Sequence, residues 1–256
     1  MPFAYSAGTR IHYQVEGSGP PLFLHIGFMG RVEGWYQAGY VEALQSDYQL
    51  ILLDPRGQGR SETPHDPDDY TLAKRVEDVI SVLDDIGTPK AHFLGYSMGG
   101  LIGFGIGAYA PKRLASLIIG GSNAFEQVAW SEDYIALLRQ GMPAFVEAWE
   151  QEHGLAPPAA REHWLQCDGK ALAANLVAQR HYPNLAEHLP TITLPSLLYS
   201  GTEDDIYAEV KRAAEDMPNA SFVALDSLDH LTAFRNGVQL LAPHIRAFLN
   251  DTDVSL

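Results

Sequence analysis

The sequence predicts an α/β protein in which a mostly parallel sheet is flanked by helices on both faces. Short, purely apolar runs alternate with stretches of helical periodicity, and strands that are apolar throughout belong to a sheet covered on both sides. One of those runs passes straight into the tight turn Gly95-Tyr96-Ser97-Met98-Gly99 ahead of a helix-like segment. After residue 122 a long strand-free stretch interrupts the alternation.

Taken in order, the strand-like runs lie near residues 22–26, 49–54, 91–96, 114–121, 194–201 and 221–225. Between the second and third, residues 72–86 set Val76, Val79, Ile80 and Leu83 on one side of a helix. The apolar stretch 101–110 is far short of the about 20 residues that cross a bilayer, and it reads as the helix behind the tight turn. Gly103 and Gly107 weaken that helix, but their four-residue spacing puts both on one face, where the helix can press against the sheet. From 123 to 190 only helical pieces follow, over 133–140, 142–153 and 170–180, punctuated by Pro143, Pro157, Pro158 and Pro183. The chain therefore divides into a first core segment, 1–122, a helical insertion, 123–190, and a second core segment, 191–256.

A strand that ends in Gly-x-Ser-x-Gly and enters a helix is a nucleophile elbow, a turn so tight that Ser97 is strained and its hydroxyl points off the sheet's edge. Its glycines are required because a Cβ would collide with the neighbouring strand or helix. The run 195–201 ends in Gly201-Thr202-Glu203-Asp204-Asp205, which puts an acid at the same edge of a parallel sheet. The run 221–225 is followed by Asp226-Ser227-Leu228-Asp229-His230, which puts an imidazole on the loop after the last strand. The order serine, acid, histidine differs from that of chymotrypsin and of subtilisin, and supplies a nucleophile, an orienting acid and a base.

These motifs resemble the α/β-hydrolase superfamily over nearly the whole length of the chain. Residues 8–17 resemble its first antiparallel hairpin, and residues 20–30 the strand and loop that supply an oxyanion donor. Asp54-Pro55-Arg56-Gly57-Gln58-Gly59-Arg60-Ser61 matches its Asp-x-Arg-Gly-x-Gly-x-Ser loop. The resemblance implies an α/β-hydrolase fold with a helical cap, residues 123–190, inserted after the sixth strand to roof the pocket and choose the substrate. It implies Asp204 as the acid, because the family places that acid three residues after the glycine, here Gly201. It also implies an oxyanion hole formed by the backbone N–H groups of Phe28 and Met98. Trp130, Tyr134, Phe145, Trp149, Arg180 and Tyr182 of the insertion are the candidate substrate contacts. Two positions depart from the family pattern. Ile26-Gly27 stands where His-Gly is usual, with His25 one place early, and Asp229 replaces the glycine before the histidine. A carboxylate there either favours the imidazolium or faces water.

Composition bounds the rest. The 256 residues suit one α/β domain with an insertion, and an apolar fraction of 46% supports a large core. Lys and Arg number 17 against 32 Asp and Glu, a net charge of −15 that repels phosphate backbones and argues against nucleic-acid binding. A single cysteine, Cys167, cannot form an internal disulfide, and the N-terminus lacks the basic start and apolar run of a signal peptide. The expectation is a cytoplasmic monomer or homodimer that acts on a small molecule, with no membrane association. No His-Glu-x-x-His, Cys/His cluster or phosphate loop is present in the sequence, so neither metal nor cofactor is expected.

Ser97 at the elbow argues against haloalkane dehalogenases and epoxide hydrolases, whose intermediates need a carboxylate there. The reading adopted is a serine hydrolase of a small, largely apolar carboxylic ester or lactone, working through an acyl-enzyme. The same motifs suit a carbon–carbon hydrolase of ring-cleavage products, for which Arg180 would anchor a carboxylate, and a cofactor-free perhydrolase or haloperoxidase-like enzyme. They also suit a ligand receptor built on the same fold.

Overall fold

A computed structural model of the chain describes residues 2–125 and 131–253. It opens on a hairpin, β1 (Phe3–Ser6) and β2 (Thr9–Glu16), turned by Ala7 and Gly8 with φ of 45° and 80°. Two consecutive positive φ values match the right-handed twist of the paired strands. Then come β3 (Pro21–His25), β4 (Gln49–Leu53), β5 (Ala91–Tyr96), β6 (Leu114–Gly120), β7 (Ser196–Gly201) and β8 (Ala220–Leu225). They form one sheet in the order β1-β2-β4-β3-β5-β6-β7-β8. Only the β1–β2 and β2–β4 pairings are antiparallel; from β4 to β8 all run parallel.

Alternate residues of the inner strands face opposite sides. Phe23, Ile51, Phe93, Leu117 and Ile119 join the layer built by α3 (Leu72–Asp85), α4 (Met98–Tyr109) and α9 (Tyr207–Asp216). Leu22, Leu24, Leu50, Leu52, Leu94 and Ile118 face α1 (Val32–Gln37), α2 (Tyr40–Leu44), α10 (His230–Asn236) and α11 (Val238–Asp253). Each fully buried Leu or Phe contributes about 2–3 kcal/mol of transfer free energy, so this two-sided burial dominates the fold. Gly103 and Gly107 bring α4 onto the sheet: a Cβ on either would lie 2.8 Å from the Phe93 ring or 3.1 Å from Leu117.

Between β6 and β7, α5 (Glu132–Gln140), α6 (Met142–His153), α7 (Pro158–Leu165) and α8 (Gly169–Gln179) form the helical insertion. Ser131 caps α5 and the Asp168 carboxylate caps α8 through the Lys170 and Ala171 amides. α7 was not expected, because Pro157-Pro158 reads as an interruption. Proline lacks a donor that the first helical position does not need, so Pro158 starts a helix instead. Ile135, Leu138, Met142, Phe145, Val146, Leu172 and Leu176 give the insertion its own apolar centre, which takes in Met29 from the loop after β3. Among the described residues no helix is long and apolar enough to cross a membrane.

Because β3, β5, β7 and β8 run parallel, the loops at their C-terminal ends share one sheet edge. That edge lies under the insertion at Met29 and at Met98, whose sulfur accepts hydrogen bonds from Asn175 and Gln179 of α8.

Candidate active site

Ser97 joins β5 to α4 with φ 55° and ψ −120°, a conformation that costs a non-glycine residue about 1–3 kcal/mol. The surroundings hold it there. A Cβ on Gly95 would run into the Gly99 carbonyl, and one on Gly99 into the His25 carbonyl, so both flanking positions admit glycine alone. The Ser97 N–H donates to the Gly120 carbonyl of β6 at 2.9 Å. The elbow is thus wedged between β3, β6 and its own helix.

His230 opens α10 after β8, and its Nε2 lies 3.0 Å from Ser97 Oγ. Its Nδ1 lies 2.8 Å from Asp204 Oδ2. A carboxylate only accepts, so Nδ1 carries the proton and the neutral ring offers its Nε2 lone pair to the serine hydroxyl. Asp204 is buried on the loop after β7, while Glu203 and Asp205 are exposed. Its other oxygen accepts the Ile206 N–H at 3.2 Å. Gly201 is required beside it, since a Cβ there would strike the Leu228 carbonyl of the loop that carries His230. Tyr96 steadies that loop from the elbow: its hydroxyl donates to the His230 carbonyl at 2.6 Å. A hydroxyl bound to an imidazole that is bound in turn to a buried carboxylate is arranged to lose its proton as it attacks.

Asp229 is exposed, as the water-facing reading has it, and it also has a structural role. Its carboxylate caps α10, accepting from the Thr232 N–H and hydroxyl, both at 2.7 Å. Those hydrogen bonds hold its pKa below the ordinary aspartate value. The aspartate is therefore an exposed helix cap whose Oδ1 is engaged by Thr232.

Gly27 lies against Ser97: a Cβ on it would stand 3.0 Å from Ser97 Cβ and 3.5 Å from Oγ. Phe28 follows Gly27 in the chain, and Met98, at the first position of α4, follows Ser97. The N–H groups of a helix's first turn have no intrahelical acceptor. The loop after β4 braces this region. Buried Arg56 pairs with Asp78 through two contacts, 2.6 and 3.1 Å, and donates to Thr9 Oγ1 at 2.7 Å. Asp54 accepts from Val32 N–H, Arg60 N–H and His12 Nδ1. So fixed, the loop points Gln58 at the segment after β3, where its amide meets Gly27, Met29 and Gly30. His25, one place earlier than the family's histidine, is buried beneath α4 with Nδ1 donating to the Ile26 carbonyl at 2.9 Å. Burial depresses its pKa to about 3 despite that bond.

The insertion residues singled out from the sequence are dispersed. Trp130 lies outside the described residues. Phe145 is buried in the insertion's apolar centre, and Trp149 meets Trp164 edge to face at 4.9 Å. The Tyr134 hydroxyl donates to Glu152 at 2.7 Å, Arg180 pairs with Glu132, and the Tyr182 hydroxyl donates to the Tyr70 carbonyl at 2.6 Å. Sequence reasoning overlooked Gln58 and His163, whose Nε2 donates to the Met29 carbonyl at 2.7 Å. Gln58 sits in the matched loop, whereas nothing in the spacing of His163 betrays its partner. Among the described residues no three His, Cys, Asp or Glu side chains converge as metal ligands do.

Comparison with known proteins bears on the family and the fold. A family model described as alpha/beta hydrolase fold matches residues 20–166. A candidate carbamate hydrolase, RutD of Azorhizobium caulinodans, is 30% identical over 88% of this chain and 90% of its own. The 3-oxoadipate enol-lactonase 1 of Acinetobacter baylyi is also 30% identical, over 78% of this chain and 77% of its own. Among solved structures, the enol-lactonase from Burkholderia xenovorans superposes with a TM-score of 0.85 at 25% identity, covering 97% of this chain and all of that one. The chain belongs to the α/β-hydrolase family.

Proposed function

We propose that the protein is a serine hydrolase that opens a small, largely apolar carboxylic ester or lactone. The observation that carries this reading is the hydrogen-bonded series Ser97–His230–Asp204 at the strained elbow. The likeness to two enol-lactonases supports an ester-type carbonyl as the target. In this reading Ser97 Oγ attacks the carbonyl carbon while His230 Nε2 takes its proton, and Asp204 stabilises the imidazolium. The Phe28 and Met98 N–H groups receive the oxyanion. Collapse expels the alcohol, which takes its proton from His230, and water then hydrolyses the acyl-serine with the same imidazole as base. Residues 123–190 act as the cap that excludes water, and the substrate is the only partner the mechanism needs.

A second reading, carbamate cleavage, is favoured by the RutD likeness. It uses the same attack on a carbonyl whose neighbour is nitrogen. One experiment tests both: steady-state hydrolysis of 4-nitrophenyl esters of increasing acyl length, a lactone and a carbamate, with wild type beside Ser97→Ala. Ser97-dependent turnover of esters or the lactone supports the first reading. Turnover of the carbamate alone moves the assignment to the second, and turnover that survives Ser97→Ala overturns the serine mechanism.

A further inference from the structure

The segment after β3 is held from two sides. From the core, Gln58 Oε1 accepts the Met29 N–H at 3.0 Å, and Gln58 Nε2 donates to the Gly27 and Gly30 carbonyls at 3.1 and 2.9 Å. From the insertion, His163 of α7 donates its Nε2–H to the Met29 carbonyl at 2.7 Å. Met29 has φ 59°, a left-handed conformation a branchless side chain tolerates only when the surroundings enforce it. Its side chain is buried in the insertion's apolar centre rather than in that of the core.

Peptide planes turn these contacts into a directed chain. The Met29 carbonyl and the Gly30 N–H belong to one peptide group, and that N–H donates to the Gly27 carbonyl at 3.1 Å. The Gly27 carbonyl and the Phe28 N–H belong to the next peptide group in the relay. Donation therefore runs in one sense: His163 Nε2–H to Met29 C=O, Gly30 N–H to Gly27 C=O, then the Phe28 N–H. Aligned donors of this kind polarise one another and strengthen the last in the series. The histidine suits its place. A carbonyl can only accept, so Nε2 is protonated, while Nδ1 is buried with no hydrogen-bond partner. Burial lowers the pKa of the ring, which keeps the neutral tautomer that donates from Nε2.

We infer that His163 is a positioning residue for the oxyanion hole: through Met29, Gly30 and Gly27 it sets the orientation and donor strength of the Phe28 N–H. The insertion thus completes the oxyanion site in addition to roofing it. The inference rests on the serine-hydrolase reading and on Phe28 as an oxyanion donor. Turnover requires the insertion to be docked with α7 on the loop, which couples substrate enclosure to assembly of the site.

The test compares wild type, His163→Leu, His163→Gln, His163→Asn and Ser97→Ala with 4-nitrophenyl butyrate as substrate. An n-alkyl trifluoromethyl ketone, whose hemiketal places an oxyanion on the serine, and butyrate serve as inhibitors. His163→Leu is expected to lower kcat by about tenfold or more, the scale of a weakened oxyanion donor, with KM little changed. The ketone should lose affinity by the same factor while butyrate does not. Gln, which can still reach Met29 with a donor, should restore most of kcat, and the shorter Asn should not. If the Leu variant fails to fold, the Gln–Asn contrast carries the decision. Wild-type kcat and ketone affinity in the folded variants would overturn the relay, as would equal losses for ketone and butyrate. Turnover that persists in Ser97→Ala would overturn the underlying reading, a result separate from any behaviour of His163.

Discussion

At the scale of the residue, the site rests on a few groups whose chemistry leaves little choice of position. Asp204 is buried and bound to His230, while Asp205, one residue on, is exposed. Asp204→Asn should therefore lower kcat by about 10⁴-fold, because the amide no longer holds the tautomer that accepts the serine proton. Asp205→Asn should leave kcat within about twofold, as an exposed acid away from the hydrogen-bonded series. The opposite ranking in a steady-state ester assay would reassign the acid. His25 offers a second prediction, on stability. Its pKa is about 3 in the folded protein against 6.5 unfolded, so below pH 6.5 the unfolded chain binds a proton that the native chain refuses. Stability from this group is complete above pH 6.5 and falls as the pH drops toward 3. Between pH 7 and pH 5 the loss is about 2 kcal/mol, at about 1.4 kcal/mol per pH unit below 6.5. Urea unfolding of wild type and His25→Gln at both pH values measures it. Equal slopes in the two proteins would show that His25 contributes nothing to the acid limb.

At the scale of the element, what was legible was whatever leaves a local signature. The elbow shows itself in the sequence because two steric clashes, at Gly95 and Gly99, dictate glycines at fixed distances from Ser97. The strands show because burial on both faces demands apolar residues throughout, as in β3 and β4. The family resemblance implied Asp204 from its place three residues after Gly201, and of the three neighbouring acids it is the buried one, bonded to His230. α7 was hidden by its prolines. The contact from His163 to Met29 was hidden for a deeper reason: it links residues 134 apart through a backbone group, which every sequence possesses. Asp229 is exposed, as one reading had it, but its capping role was not legible because the helix it caps with Thr232 was not foreseen. The elbow also gives a prediction. Gly99→Ala drives a Cβ into backbone that cannot yield, so it should cost on the order of 3 kcal/mol or prevent folding. Gly87→Ala, at φ 70° with open space around the Cβ, should cost about 1 kcal/mol, the left-handed backbone term alone. Similar urea midpoints for the two variants would mean that the strand–helix contact at Gly99 is softer than its geometry implies.

At the scale of the whole molecule, the loop from Gly27 to Gly30 touches both the sheet edge and the insertion, in a strongly acidic protein. The net charge of −15 is spread along the sequence, so its effect on a ligand is a long-range field rather than a local contact. That field repels anionic substrates on approach and leaves neutral ones untouched. With the screening length falling from about 20 Å to about 6 Å between about 20 and 300 mM salt, the repulsion should largely vanish over that range. kcat/KM for an ester with a free carboxylate should then rise several-fold with salt, while kcat/KM for its methyl-capped, neutral counterpart stays flat. Because both esters meet the same Ser97 and the same insertion, a salt effect confined to the charged one isolates the approach step from the chemistry. A parallel rise for both would instead point to salt acting on the docking of the insertion. A fall for the charged ester would mean that a local cation attracts its carboxylate strongly enough to outweigh the field. That result would turn the search for the substrate toward carboxylate-bearing lactones.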